Sequence, residues 1–275
     1  MGIKTKLGIL KRGCQGIWDN LFDKIMYPAL QSETIGFSKE GREINCFRIG
    51  QGALKVLFIA GIHGNEVGTV KFANQLAKWA ESDENIKKDF NFLIIPCLNP
   101  DGYNLAVNNP EYFQGGKTGR FNANKVDLNR NFNVSSFSSK SVWSSGKNYR
   151  DKTEVYCGDS GNSEPETRTL TELIISAKPA VIFSYHSCGS EVMGNNLPLS
   201  KELAKKYSSA TGFRYVSEGD WQKLKQSGTL REWTESKKIP FIEVENPSRW
   251  GSDWKRQKIV IMKLMIWLGQ RNTGL

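Results

Sequence analysis

His63 and Glu66 stand three residues apart in KVLFIAGIHGNEVGT, residues 55–69. An apolar run, 56–60, stops at Gly61, and a helical pattern starts at 66. A histidine and a carboxylate at this spacing, on a strand-to-helix turn, can point at one spot, as two ligands of a zinc ion must. Gly61 and Gly64 let the backbone bend closely around that spot. The chain has only two histidines. The other, His186 in VIFSYHSCG, follows a second apolar run at 181–183. If both runs are strands of one sheet, both histidines sit at strand carboxyl ends, where open α/β sheets bind ligands.

The elements that must position these residues follow from periodicity. Strands are expected at 43–49, 56–60, 92–96, 180–185 and 241–245, with a weaker strand-like piece before 43. Helices are expected at 66–80, 163–177, 199–211, 228–238 and 253–268. Strands alternating with helices predict an α/β sheet covered on both faces. Residues 83–89 read as charged loop and NPDGY, 99–103, as a turn. The polar stretch 105–163 is too long for an inert loop in a compact domain, so it is expected to carry function. There is no internal repeat or break in composition. One domain, 34–275, is expected after an N-terminal helical extension, 1–33. Within that extension, 17–30 would form an amphipathic helix with Trp18, Leu21, Phe22 and Ile25 on one side.

Of the 275 residues, 39% are hydrophobic and 24% charged, as in soluble globular proteins. The net charge of +10 favours anionic partners, including substrates that carry carboxylates. The lysines are scattered, with no basic block and no nucleic-acid motif, so nucleic acid is not an expected partner. Five cysteines at irregular spacing form no disulfide framework and suit a reducing compartment, with pairing of Cys157 and Cys188 left open. No stretch has the apolar length of a membrane span, and the N-terminus lacks the apolar core of a signal peptide. The expectation is a cytoplasmic protein, with its oligomeric state unread.

Several motifs, in order, resemble the zinc carboxypeptidases of peptidase family M14. HGNE at 63–66 is similar to the family's H-x-x-E ligand pair, and NPDG at 99–102 to a turn beside its active site. RFNANKVDLNRNF, 120–132, looks like its bacterial members, and SYHS, 184–187, like the segment with the third ligand. SGTLREW, 227–233, and IPFIEVE, 239–245, resemble the helix and strand that deliver the catalytic glutamate. The resemblance spans 34–268. Within the family the 120–132 wording and the lack of a signal peptide look most like murein peptide amidases, which cut the γ-D-glutamyl–diaminopimelate bond of cell-wall peptides.

The resemblance implies a single-domain α/β fold: a mixed, mostly parallel eight-stranded sheet with helices on both faces. It implies one zinc ion held by His63, Glu66 and His186, with a fourth position for water. Asp127 would orient the first histidine ligand. Arg120 would stabilise the oxyanion, and Asn129 and Arg130 would grip the substrate's terminal carboxylate. Glu245 would activate a zinc-bound water. Glu243 stays open as a rival, because residues two apart on a strand share a face and the family usually carries Thr or similar there. Leu224 stands where digestive-type members place a Tyr, with Trp221 the nearest aromatic. The expected function is hydrolysis of an amide bond next to a free carboxylate on a peptide, with the murein bond as the substrate. Two alternatives stand beside it: a zinc deacylase of the aspartoacylase and succinylglutamate desuccinylase kind, and a non-catalytic zinc-dependent module that binds wall peptides.

Overall fold

The computed structural model describes residues 30–109, 117–145 and 151–272. The first half of the chain forms β1 (Ser32–Phe37), β2 (Glu43–Ile49), β3 (Leu54–Ile59), α1 (Val67–Ser82), α2 (Glu84–Asp89), β4 (Phe90–Ile95) and α3 (Pro100–Val107). A 3-10 turn (Leu128–Arg130) and the hairpin strands β5 (Lys140–Ser145) and β6 (Asp151–Tyr156) follow. The second half forms α4 (Pro165–Ala177), β7 (Val181–Ser187), β8 (Glu191–Gly194), α5 (Pro198–Thr211) and β9 (Arg214–Tyr215). It ends with α6 (Glu218–Leu224), α7 (Leu230–Ser236), β10 (Phe241–Asn246) and α8 (Trp254–Asn272). The N-terminal helical extension expected over 1–33 lies outside the described residues, apart from 30–33. The sheet itself begins at Ser32.

Eight strands form one sheet in the order β1-β2-β4-β3-β7-β10-β8-β9. Four of its seven neighbouring pairs are parallel, so the expected mixed, mostly parallel sheet is present. The central strands β3 and β4 are nearly all apolar, as is β7 over 181–183, because they are covered on both faces. Phe58 of β3 stacks on Phe183 of β7 with ring centroids 5.2 Å apart, and meets Phe92 of β4 edge-on at 5.0 Å.

Two short segments differ from the sequence expectation, and capping explains both. Residues 83–89 are not loop. The Asp83 side chain accepts from the backbone N–H of Asn85 and Ile86, and buried Ile86 anchors the helix α2. NPDGY is not an isolated turn either. Asn99 accepts from Gly102 N at 2.8 Å and Pro100 takes the first helical position, so the segment opens α3. Cys46, Cys97, Cys157 and Cys188 are all free thiols, so Cys157 and Cys188 do not pair. No helix among the described residues is long and apolar enough to cross a membrane.

Candidate active site

Three adjacent strands of the sheet aim their carboxyl ends at one place. His63 follows β3, His186 ends β7, and Glu245 lies opposite His186 in the parallel register of β7 and β10. Glu66 is the N-cap of α1, but its carboxylate caps nothing and turns into the site instead. The turn is held by Thr69, whose hydroxyl donates to Glu66 O at 2.7 Å and accepts from Gly61 N at 3.2 Å. Gly64 has to be glycine. A Cβ there would lie 2.1 Å from the backbone nitrogen of Tyr103.

The donor atoms converge. His63 Nδ1 lies 3.0 Å from Glu66 Oε1, His186 Nδ1 lies 3.2 Å from Glu66 Oε2, and the two Nδ1 atoms are 3.3 Å apart. All three residues are buried. Among the described residues they are the only cluster of at least three His, Cys, Asp or Glu suited to hold a metal ion. Tetrahedral coordination at about 2.0–2.1 Å puts neighbouring donors roughly 3.3 Å apart, close to these separations. Glu66 Oε2 is buried and, despite its nearness to His186, lacks a hydrogen bond of acceptable geometry. The opposite nitrogens of the rings are engaged: His63 Nε2 with Asp127 Oδ1 at 3.1 Å, and His186 Nε2 with Ser184 Oγ at 3.1 Å. Rings that donate through Nε2 leave both Nδ1 lone pairs facing the carboxylate, a donor set that fits a divalent cation such as zinc.

The polar stretch between α3 and α4 supplies the other half of the site. It is pinned by side-chain bonds rather than by a periodic apolar face. Asn122 Oδ1 accepts from Asn124 N and Val126 N, while its amide donates to Glu164 Oε2 at 2.7 Å. Asp127 then caps the 3-10 turn by accepting from Asn129 N at 3.1 Å. Its second oxygen accepts from Arg120 Nη2 at 2.8 Å and Nε at 3.2 Å. Burial alone would raise the Asp127 carboxyl, but Arg120 and His63 hold it well below the usual carboxylate range. Arg120 also lies over Trp143, with its guanidinium carbon 4.5 Å from the ring centre.

Arg130 is buried but has no carboxylate partner at ion-pair distance among the described residues. It donates to the carbonyl oxygens of Val142 and Asn129, and burial lowers its pKa. Asn129 Oδ1 accepts from Leu230 N at 3.0 Å, satisfying a donor at the start of α7. Next to it, Gly228 has φ +72°, and a Cβ there would fall 2.1 Å from Arg130 O.

A cavity of about 500 Å3 joins these groups, lined by His63, Glu66, His186, Arg120, Asn129, Arg130, Glu243 and Glu245 among others. All the sequence-predicted site residues therefore meet there except Asp127, which lies behind His63 and Arg120. Glu243 and Glu245 both reach the cavity, as their shared strand face requires. Burial, with Glu66 and Glu243 nearby, pushes the Glu245 carboxyl up to about 8. Burial opposes protonation of His186, yet Glu243 and Glu66 push it up to about 9. Leu224 and Trp221 both line the cavity. Sequence reasoning passed over Ser184, although its place two residues before His186 on one strand is a readable signal. It also passed over Trp143 and Arg249 of the cavity wall, for which no pattern points the way.

Comparison with known proteins agrees with the motifs. The zinc carboxypeptidase family (peptidase M14) matches residues 20–240, and the chain belongs to that family. It is a peptide hydrolase. Among its relatives, murein peptide amidase A of Vibrio campbellii is 29% identical over 194 residues, covering 70% of this chain and 68% of the relative. Murein peptide amidase A of Escherichia coli K12 is 32% identical over 133 residues, and the match spans only 48% of that protein and 47% of this one. Among solved structures, murein-tripeptide amidase MpaA from Escherichia coli O157 superposes with a TM-score of 0.65 at 22% identity, over 87% of this chain and 93% of that one. At that identity the superposition speaks for the fold.

Proposed function

We propose that this chain hydrolyses a peptide amide bond next to a free carboxylate, and that its substrate is the γ-D-glutamyl–diaminopimelate bond of murein peptides. The observation that carries the reading is buried Arg130, which faces the cavity of the His/Glu/His cluster without a carboxylate partner among the described residues. A cation so placed calls for an anionic ligand, and a planar guanidinium matches a carboxylate. Asn129, whose Oδ1 is occupied by Leu230 N, offers its amide NH2 to the same group.

In this reading His63, Glu66 and His186 would hold one zinc ion. Zinc there would supply Lewis-acid polarisation of the carbonyl and lower the pKa of water. Glu245 removes the proton from the attacking water and returns it to the leaving amine nitrogen as the C–N bond breaks. Arg120, oriented by Asp127, brings positive charge to where the carbonyl oxygen becomes anionic. Asp127 and Ser184 hold the rings so that both Nδ1 atoms face the Glu66 carboxylate, the donor set that would hold the ion. The murein assignment draws on the names of the relatives and on the net charge of +10, which suits peptides rich in carboxylates.

The test is incubation of zinc-loaded protein with L-Ala-γ-D-Glu-diaminopimelate, read by mass spectrometry beside Glu245→Gln and a chelated sample. Free diaminopimelate, absent from both controls, is the expected result. No release from protein carrying one equivalent of zinc would refute the murein reading and favour a module that only binds wall peptides.

A further inference from the structure

We propose that Glu243 selects the residue released from the substrate by demanding a cation on its side chain: an ammonium or guanidinium carried on an aliphatic stem. The inference rests on the reading above, in which the cavity receives a carboxylate-terminated residue.

Glu243 is 5% exposed and lines the cavity, yet its Oε2 is buried with no hydrogen-bond partner among the described residues. A buried carboxylate oxygen left without a partner is costly, and native structures rarely keep one without a role for it. Glu191, a further carboxylate of the cavity wall, is engaged by Arg214. Glu243 therefore stands out as the carboxylate awaiting a donor from the ligand.

Its surroundings say what kind of donor. Across the β10–β8 pairing Glu243 lies opposite Met193. Met193 packs in one apolar cluster with Trp221 and Leu224, and all three face the cavity. The wall beside Glu243 is thus apolar. An aliphatic stem that ends in a cation matches such a wall, with its methylenes on Met193, Trp221 and Leu224 and its charge at Glu243. Arg130, in the same cavity, takes the residue's carboxylate. The two ends of one amino acid then meet charges of opposite sign.

Register separates this role from that of the base. Glu245 pairs with His186 at the carboxyl edge of the sheet, whereas Glu243 pairs with Ser184, two residues further in. Glu243 is thereby set back from the reacting bond, and its work is recognition.

The experiment compares L-Ala-γ-D-Glu-X peptides with X as diaminopimelate, lysine or norleucine on the zinc-loaded full chain. Calorimetric binding of free lysine and free norleucine accompanies it. Loss of a charge-assisted hydrogen bond predicts kcat/KM for lysine over norleucine of roughly 10–100-fold, with free lysine the tighter ligand. In Glu243→Gln that ratio collapses toward one. Equal handling of lysine and norleucine by the wild type overturns the proposal without need of any variant. So does a Glu243→Gln that slows every peptide by the same factor, since that would assign Glu243 to the chemistry. If no peptide is cut but lysine still outbinds norleucine, the amidase reading fails and the assignment of the pocket stands.

Discussion

Replacing Asp127 by Asn tests how the site is held together. The Asp127 carboxylate is fully buried and accepts four hydrogen bonds: from His63 Nε2, Asn129 N, and Arg120 Nε and Nη2. An amide has one oxygen to share among them. With that oxygen toward His63, the NH2 faces the guanidinium donors and Arg120 loses its buried partner, a break that costs about 3–5 kcal/mol. With the oxygen toward Arg120, the NH2 faces His63 Nε2 and drives the ring proton onto Nδ1, the nitrogen aimed at Glu66. The second arrangement costs less, so the variant should fold but hold the wrong tautomer. Lost orientation of a ligand typically weakens metal binding 10–100-fold, or about 1.4–2.7 kcal/mol. The charge lost beside Arg120 should remove about 2 kcal/mol of stability as well. Because Asp127 is held well below the usual carboxylate range, its contribution is complete above about pH 3.9 and is lost only as the pH falls through its folded value. Measurements at pH 7 therefore see it whole. Competition with a chromophoric zinc chelator gives the affinity, and urea unfolding of zinc-free protein gives the stability. A folded Asp127→Asn that binds zinc within twofold of wild type would refute the orientation argument.

Other perturbations follow from the same geometry. Arg130→Lys keeps the charge but loses the planar fork, so KM for a carboxylate-terminated peptide should rise roughly 10–100-fold, measured by steady-state kinetics. Gly228→Ala puts a methyl 2.1 Å from Arg130 O at a φ of +72°, which should cost about 1–3 kcal/mol in urea unfolding and raise KM as Arg130 is displaced. Zinc binding should release at least one proton per ion at pH 7, one from His186 and up to one more from Glu245, whose carboxyl, pushed up to about 8, is lowered by the added positive charge. His186, pushed up to about 9 by Glu243 and Glu66 against the effect of burial, must give up its proton to become a ligand. Release should fade above pH 9, as a pH-indicator dye in weak buffer would record.

The strands that lead into the candidate metal site were legible because central strands buried on both faces read as continuous apolar runs, as at 56–59 and 181–183. The two histidines of the candidate metal site were legible because they are the only histidines of the chain and both follow such runs. Edge elements were not. β8 and β9 span four and two residues, and β9 is only half covered, so neither leaves a periodic trace. The segment 117–139 could be flagged by length alone. Its conformation depends on distant partners: Asn122 on Glu164, and Asn131 on Cys157 O and Ser163 Oγ. Bonds over 26 to 42 residues of sequence follow no local period. The role of Glu243 lay hidden for a related reason, since a carboxylate two residues from another on one strand looks like a second candidate base until its register and its apolar neighbours are known.

These differences also explain where the molecule concentrates its electrostatic risk. The buried charges of the site sit on rigid supports: the carboxyl ends of β3, β7 and β10, the cap of α1, and a 3-10 turn bound by Asp127. Most are compensated within the protein, as Arg120 is by Asp127 and Glu66 by the two histidines. Arg130 lacks a carboxylate partner, and Glu243 Oε2 lacks any hydrogen-bond partner, among the described residues. Both line one cavity of about 500 Å3. Replacing both by neutral residues of similar size should therefore stabilise the free protein while abolishing discrimination among substrates, because each charge is buried without an ion-pair contact among the described residues and the attraction of Arg130 to Asp127 and Glu243 offsets only part of the desolvation cost. An Arg130→Met/Glu243→Gln double variant less stable than wild type in urea would show that these charges serve the fold, and the division of labour drawn here would fail.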